Sequence, residues 1–208
     1  MGASAEEYFS WISLSEAWDR LIDMGSIRAF NPVKLFVGVL VSNGELVTAV
    51  ESQLVAAYGP VDHRSPVLPF TFTDYYRRET GDRILRLFFS FERLIDAGQL
   101  AEIKRHTNVL EETFAAAGTT VKRPVNLDPG YLEHAKVILA STKNFYHRMY
   151  LSRGIFGEVT MHFRNGAYEF FPWTYPDYKS TEYQSFFLEL REVYRQQLRR
   201  LCLLRNPE

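Results

Sequence analysis

Residues Lys34 to Val41 (KLFVGVLV) form an unbroken apolar, β-branched run, the pattern of a strand buried on both faces. Leu46, Val50, Leu54 and Ala57 then recur at helical spacing. Ser42 and Glu45 stand before them with capping-box spacing, and Gly59-Pro60 ends the helix. A second strand is predicted from about Pro66 to Thr73, with Pro66 and Pro69 suggesting an edge or irregular position. From Arg83 to Phe91 the side chains alternate. Ile84, Arg86, Phe88 and Ser90 share one face; Leu85, Leu87, Phe89 and Phe91 share the other. Asp96 and Gln99 open another helix, with a buried stripe of Leu100, Ile103, Thr107, Leu110, Phe114 and Ala117 and a stop at Gly118. Asp128-Pro129-Gly130 reads as a turn, and Lys136 to Ala140 (KVILA) as the fourth strand. The order βαββαβ predicts an α+β domain built on a ferredoxin-like antiparallel sheet.

A β-rich extension follows. Tyr146 to Ser152 alternates enough for a strand, although a helical turn fits nearly as well. Ile155 to Arg164 and Ala167 to Trp173 flank Asn165-Gly166, the strongest hairpin signal in the chain. Ser180 or Thr181 caps a C-terminal helix with the stripe Tyr183, Phe186, Phe187, Leu190, Val193, Tyr194, Leu198 and Leu201. Ahead of the first strand, Leu14, Ala17, Trp18, Leu21 and Ile22 trace a separate short helix. The expected organisation is an N-terminal helical extension over 1–32 and a single α+β domain over 33–208.

Composition narrows the class. Hydrophobic residues make up 46% and charged residues 24%, which is enough apolar surface for a packed core. The formal net charge of -1 argues against coating of nucleic acid by bulk electrostatics and leaves open a local basic groove. Cys202 is the only cysteine, so neither an intrachain disulfide nor a multi-cysteine zinc site can form. No apolar run reaches the roughly 20 residues that span a bilayer, and Met1 to Ser10 lack the pattern of a signal peptide. A soluble cytoplasmic protein without a membrane partner is expected.

Neither a Gly-x-x-x-x-Gly-Lys-Ser/Thr loop nor a Gly-x-Gly-x-x-Gly loop is present, which argues against a P-loop GTPase or a dinucleotide-binding oxidoreductase. The five histidines lack metal-ligand spacing, so no metal site is expected. No cofactor is indicated. Lys143, His147 and Arg148 cluster just after the KVILA strand, where open sheets present ligand groups. A guanidinium fork, a point charge and an imidazole could hold a phosphate or carboxylate and exchange a proton. Pairing with nearby acids on a wet surface fits the same residues equally well. If partly withdrawn from water, these cations need counter-charges, and Asp74 and Asp128 are the expected ones.

The hairpin places Glu158, Thr160 and His162 on one face, opposite Trp173, Phe171 and Glu169 respectively. Such a polar row lines a cleft in some proteins and is more often the solvated face of the pair. The run Phe171-Pro172-Trp173-Thr174-Tyr175-Pro176-Asp177-Tyr178 offers flat rings with polar tips, Trp173 and Tyr175 among them, beside the carboxylate of Asp177. The run Phe70 to Tyr76, with Asp74 and Tyr75, is similar.

Phe70-Thr71-Phe72-Thr73-Asp74-Tyr75-Tyr76, Asn126-Leu127-Asp128-Pro129-Gly130-Tyr131, Lys143-Asn144-Phe145-Tyr146-His147-Arg148 and Trp173-Thr174-Tyr175-Pro176-Asp177-Tyr178, in this order, resemble a bacterial domain-of-unknown-function family, number 4416. The likeness runs from about Lys34 to the final helix. Members often carry an automatic label of GTP-binding protein, which the missing phosphate loop argues against, and the resemblance supplies no catalytic residues. Two functions are carried forward. One is binding of, or catalysis on, a phosphorylated small molecule or nucleotide in a polar and aromatic cleft. The other is a non-enzymatic RNA-binding or protein-interaction module with sheet aromatics as its platform.

Overall fold

The computed structural model describes residues 30–72, 77–81, 83–118 and 121–203. The helix expected within 1–32, and the candidate residues Asp74 and Tyr75, lie outside the described residues. The compact unit Pro32–Glu208 carries every element that follows. In chain order these are β1 (Val33–Val41), α1 (Leu46–Tyr58), β2 (Val61–Arg64), β3 (Leu68–Pro69), a helical turn Arg77–Thr80 and β4 (Leu85–Ile95). A short 3-10 turn, Ala97–Gln99, leads into α2 (Leu100–Ala116), followed by β5 (Val125–Leu132), β6 (Lys136–Ser141) and β7 (Met149–Ser152). The hairpin β8 (Ile155–Arg164) and β9 (Ala167–Phe170), a 3-10 turn Pro176–Lys179 and α3 (Thr181–Arg200) complete the unit.

Among the described residues nine strands form one antiparallel sheet in the order β2-β4-β1-β5-β6-β8-β7, with β3 added against β4 and β9 against β8. Helices cover both faces, the reason β1 reads as continuously apolar. Val33, Leu35, Val37, Val39 and Val41 pack with Val50 and Leu54 of α1 and with Ile103 and Leu110 of α2. On the opposite face Phe36 and Phe88 pack with Phe186, Phe187 and Leu190 of α3. All nine residues of β1 are buried. No helix among the described residues is long and apolar enough to cross a membrane.

The structure corrects several sequence expectations. Asp128-Pro129-Gly130 is not a turn: it lies inside β5, with Pro129 opposite Val37 and Gly130 opposite Phe36. The need of β1 for a partner on its second edge outweighs the local turn preference. The strand expected at Pro66 to Thr73 shrinks to Leu68–Pro69, a short edge piece against β4 as its prolines suggest, and it is joined there by β2, whose sequence Val-Asp-His-Arg has no apolar alternation to reveal it. Ser42 does not cap α1; the Asn43 side chain instead accepts from the backbone of Glu45 at 3.1 Å. The sheet is also larger than the four-stranded unit expected. The capping box at Asp96 and Gln99 and the cap of α3 by Ser180 form as the spacing requires.

Asn165 and Gly166 have φ of 50° and 84°, the paired positive values of a type I′ turn. The register follows: His162 faces Glu169 across the strands at 3.0 Å. The ladder stops at Phe170 because Pro172 has no N–H to continue it, so the pairings expected for Phe171 and Trp173 do not form. Side chains replace them: Trp173 Nε1 donates to the Val159 carbonyl at 2.9 Å, and Thr174 Oγ1 donates to that of Thr160. Asn165→Pro, which fixes φ near -65°, is expected to cost about 3 kcal/mol, and Arg164→Lys less than about 0.5 kcal/mol. Thermal melts of the two variants check this; equal melting temperatures would remove the turn's role.

Candidate functional site

The site originates in an incomplete ladder. β5 pairs with β1 along its whole length, but with β6 only at Gly130, Tyr131 and Leu132. Pro129, at the branch point, has no N–H to offer either neighbour. From Val125 to Pro129 the two strands part, which would leave buried backbone groups unsatisfied. Helix α2 supplies the missing partners. Lys104 Nζ donates to the Leu127 carbonyl at 2.6 Å, and Glu111 Oε1 accepts from the Leu127 amide at 2.8 Å. The two side chains are seven residues apart and so share a helix face.

They also begin a chain of alternating charges. Arg123 pairs with Glu111 at 2.6 Å, and Lys104 lies 3.7 Å from Glu111 and 3.9 Å from Asp128. Asp128 Oδ2 accepts from Arg86 Nη1 at 3.2 Å and from Asn126 Nδ2 at 2.8 Å. Arg86 Nη2 donates to the Tyr178 hydroxyl at 3.2 Å and lies 3.8 Å from Asp177. The Arg86 guanidinium also lies 4.7 Å from the Phe88 ring centre. Gly38 makes room for it: a Cβ there would stand 2.7 Å from Arg86 Nη2. Arg86 Nε has no hydrogen-bond partner among the described residues.

A second cluster is centred on Glu158, a buried carboxylate on β8. Its Oε2 accepts from Arg148 Nε at 2.7 Å and lies 3.1 Å from His147 Nε2. Arg148 also donates to Ser141 Oγ (3.0 Å), to the Lys143 carbonyl (2.8 Å) and to the Tyr175 hydroxyl (3.0 Å). The loop after β6 is therefore tied to β8 and to the segment before α3 by one guanidinium. Behind it His147 stacks on Trp173 at 4.9 Å, and Trp173 stacks on Phe171 at 4.8 Å.

Both clusters line one cavity of about 540 Å³. Arg86, Lys104, Arg123, Lys143 and Arg148 face Asp128, Glu158 and Asp177 around it, with Phe70, Phe72, Asn126 and Tyr175 on the same wall. Burial pushes the Asp177 carboxyl above its ordinary range, an effect that Arg86 opposes and Asp128 reinforces. Burial works against the charge of Arg86, but Tyr178, Asp177 and Asp128 hold its guanidinium firmly protonated. For Arg148 burial is again the largest single influence and works against the charge, but Glu158 and Tyr175 together hold the guanidinium protonated, and the Tyr175 phenol is pushed up chiefly by burial.

Of the residues singled out from the sequence, Lys143, Arg148, Asp128, Glu158, Tyr175 and Asp177 line this cavity. His147 and Trp173 stand behind the wall as the stacked support of Glu158 and its loop. The counter-charge of Arg148 is Glu158, not Asp128. The polar row is buried at Glu158 and Thr160 and half-exposed only at His162. Sequence reasoning missed Arg86, Lys104, Arg123 and Asn126. Arg86 had a signal, a lone charge on the face shared with Ile84 and Phe88. Lys104 and Glu111, one helical face beside the apolar stripe, had another. Arg123 had none.

The molecule is thus a mixed α/β domain whose large antiparallel sheet opens at one end into a charged cleft. A family model described as Domain of unknown function (DUF4416) matches residues 31–194, and the chain belongs to that family. No curated protein and no solved structure matches the chain.

Proposed function

We propose that the cleft between β5 and β6 binds a small phosphorylated molecule of about nucleotide size. The observation that carries this reading is the charge on the wall: five cationic side chains against three carboxylates around one cavity of about 540 Å³. That volume lies within the roughly 300–1,000 Å³ of small-molecule sites. Phe70 and Phe72, whose ring centres are 5.8 Å apart, give the same cavity an apolar wall for the rest of the ligand. Leu87, Phe89 and Phe91 lie buried with residues of α1 and α2, which favours this reading over an aromatic RNA platform on the sheet. The spatial order β2-β4-β1-β5, with α1 and α2 as crossovers, supports a ferredoxin-like reading of the first half of the sheet.

Calorimetric titration of the full chain with inorganic phosphate, pyrophosphate, ATP and GTP, with and without magnesium, tests the proposal. At least one phosphate-bearing probe is expected to bind, with affinity lowered about tenfold or more in Arg123→Ala and Lys143→Ala. Absence of binding by every probe, or binding that neither substitution weakens, overturns it. GTP hydrolysis is not expected, because no glycine-rich loop surrounds the β- and γ-phosphates with backbone donors. Submicromolar, magnesium-dependent GTP binding, with phosphate release lost in Lys143→Ala, would restore the GTPase label.

A further inference from the structure

We infer that the outer edge of β7 is a pairing edge for a second copy of this chain, joining two sheets antiparallel across a two-fold axis. β7 ends the strand order, so among the described residues no strand lies beside its outer backbone N–H and C=O groups. Its side chains are apolar and exposed: Met149 by 66%, Tyr150 by 62% and Leu151 by 41%. The preceding loop adds Phe145 and Tyr146, exposed by 57% and 77%. The opposite end of the sheet is protected in the usual ways. There β2 carries Asp62, His63 and Arg64, and β3 contains Pro69. From Met149 to Ser152 there is neither a charge nor a proline.

The occupant follows from symmetry, charge and area. An antiparallel edge pair is self-complementary, since each copy offers the donors and acceptors that the other needs. The segment itself is uncharged, and the arginines that flank it are paired within the chain, Arg148 with Glu158 and Arg153 with Glu102, which limits like-charge repulsion against its own copy. An axis perpendicular to the sheet keeps α2 of both copies on one side. Met149 lies opposite Gly157, and the Leu151 side chain sits about 3.3 Å from where a Gly157 Cβ would stand, so both residues reach that side. Phe145, Tyr146, Met149, Tyr150 and Leu151 together expose about 600 Å² on the ~150–250 Å² scale of large apolar side chains. Two copies that cover this surface remove about 1,200 Å², the lower bound of specific interfaces. The same loop carries Lys143 and Arg148 on the cavity wall, so pairing would also steady that wall.

Sedimentation velocity of the full chain, from about 1 to about 100 µM, reads the mass over the range where a micromolar contact saturates. The expected result is a shift from 24.2 kDa towards twice that mass. Met149→Lys, confirmed as folded by circular dichroism, is expected to raise the midpoint concentration about tenfold or more. Hydrogen exchange of the wild-type chain supplies a readout free of mutation: amides in Met149–Ser152 should gain protection as concentration rises. A single 24.2 kDa species at the highest concentration overturns the inference. So does a dimer that a folded Met149→Lys chain forms equally well, which would place the contact elsewhere. Protection of β7 that is independent of concentration also overturns it, by assigning the edge to another segment of the same chain.

Discussion

Gly130→Ala is expected to cost about 3 kcal/mol or more, lowering the melting temperature by roughly 10 °C or preventing folding. A Cβ at this position would stand 2.4 Å from the Ile138 carbonyl oxygen, 2.6 Å from Phe36 Cζ and 2.9 Å from Leu139 Cδ2. The first of these is backbone of the neighbouring strand, which cannot rotate away, and the second is a fully buried ring packed edge-on to Phe187 at 5.1 Å. Relief requires β5 and β6 to separate at the first of their three paired positions. Gly157→Ala is the matched comparison. The three atoms nearest its new methyl all belong to Leu151, at 3.3 to 3.4 Å, and that exposed side chain can turn aside. It should cost less than about 1 kcal/mol. Thermal denaturation of both variants decides the matter, and similar melting temperatures would mean that the close approach at Gly130 is not what holds this junction.

That glycine also shows where a local reading of sequence stops. Asp-Pro-Gly is a sound turn signal, because each residue favours a bend for its own reason. What overrides it is nonlocal: β1 is buried on both faces and needs neighbours on both edges, a demand set more than 90 residues earlier in the chain. Elements governed by their own residues were legible. The hairpin at Asn165-Gly166, the strand at Lys136 and the cap at Ser180 belong here, because φ preference, alternation and capping act within a few residues. β2 was not, since its pairing is decided by β4 and by the Lys34–Asp62 ion pair rather than by any pattern of its own. The same division runs through the site. Lys143, Arg148 and Glu158 could be named from a strand end and from hairpin register, and Asp177 from the aromatic run that contains it. The link between them, Arg86, could not be weighed, because its partners Asp128 and Asp177 come from 42 and 91 residues further on.

Arg86→Met is expected to lower stability by about 3–5 kcal/mol at neutral pH, because removing one partner of a buried ion pair leaves the other uncompensated. Two carboxylates depend on this guanidinium, Asp128 at 3.2 Å and Asp177 at 3.8 Å. The loss should depend on pH. Burial already raises the Asp177 carboxyl above its ordinary range, and Arg86 is the group that opposes the rise. A carboxyl whose folded-state pKa lies above its unfolded value holds a proton that the unfolded chain releases. Its contribution to stability is therefore fullest in acid and falls as pH climbs from the ordinary carboxylate range through the raised folded value. Without Arg86 the rise is larger and the fall continues to higher pH. The deficit of Arg86→Met relative to wild type should accordingly be smaller near pH 5 than near pH 7. Asp177→Asn in the Arg86→Met background removes the uncompensated charge and should recover part of the loss at pH 7. Gly38→Ala provides a geometric cross-check: its methyl would stand 2.7 Å from Arg86 Nη2, so the substitution should be costly in wild type and cheaper once Arg86 is Met. Urea denaturation of these variants at both pH values measures every term. A deficit that is equal at the two pH values, or greater in acid, would show that Asp177 does not depend on Arg86 for its charge.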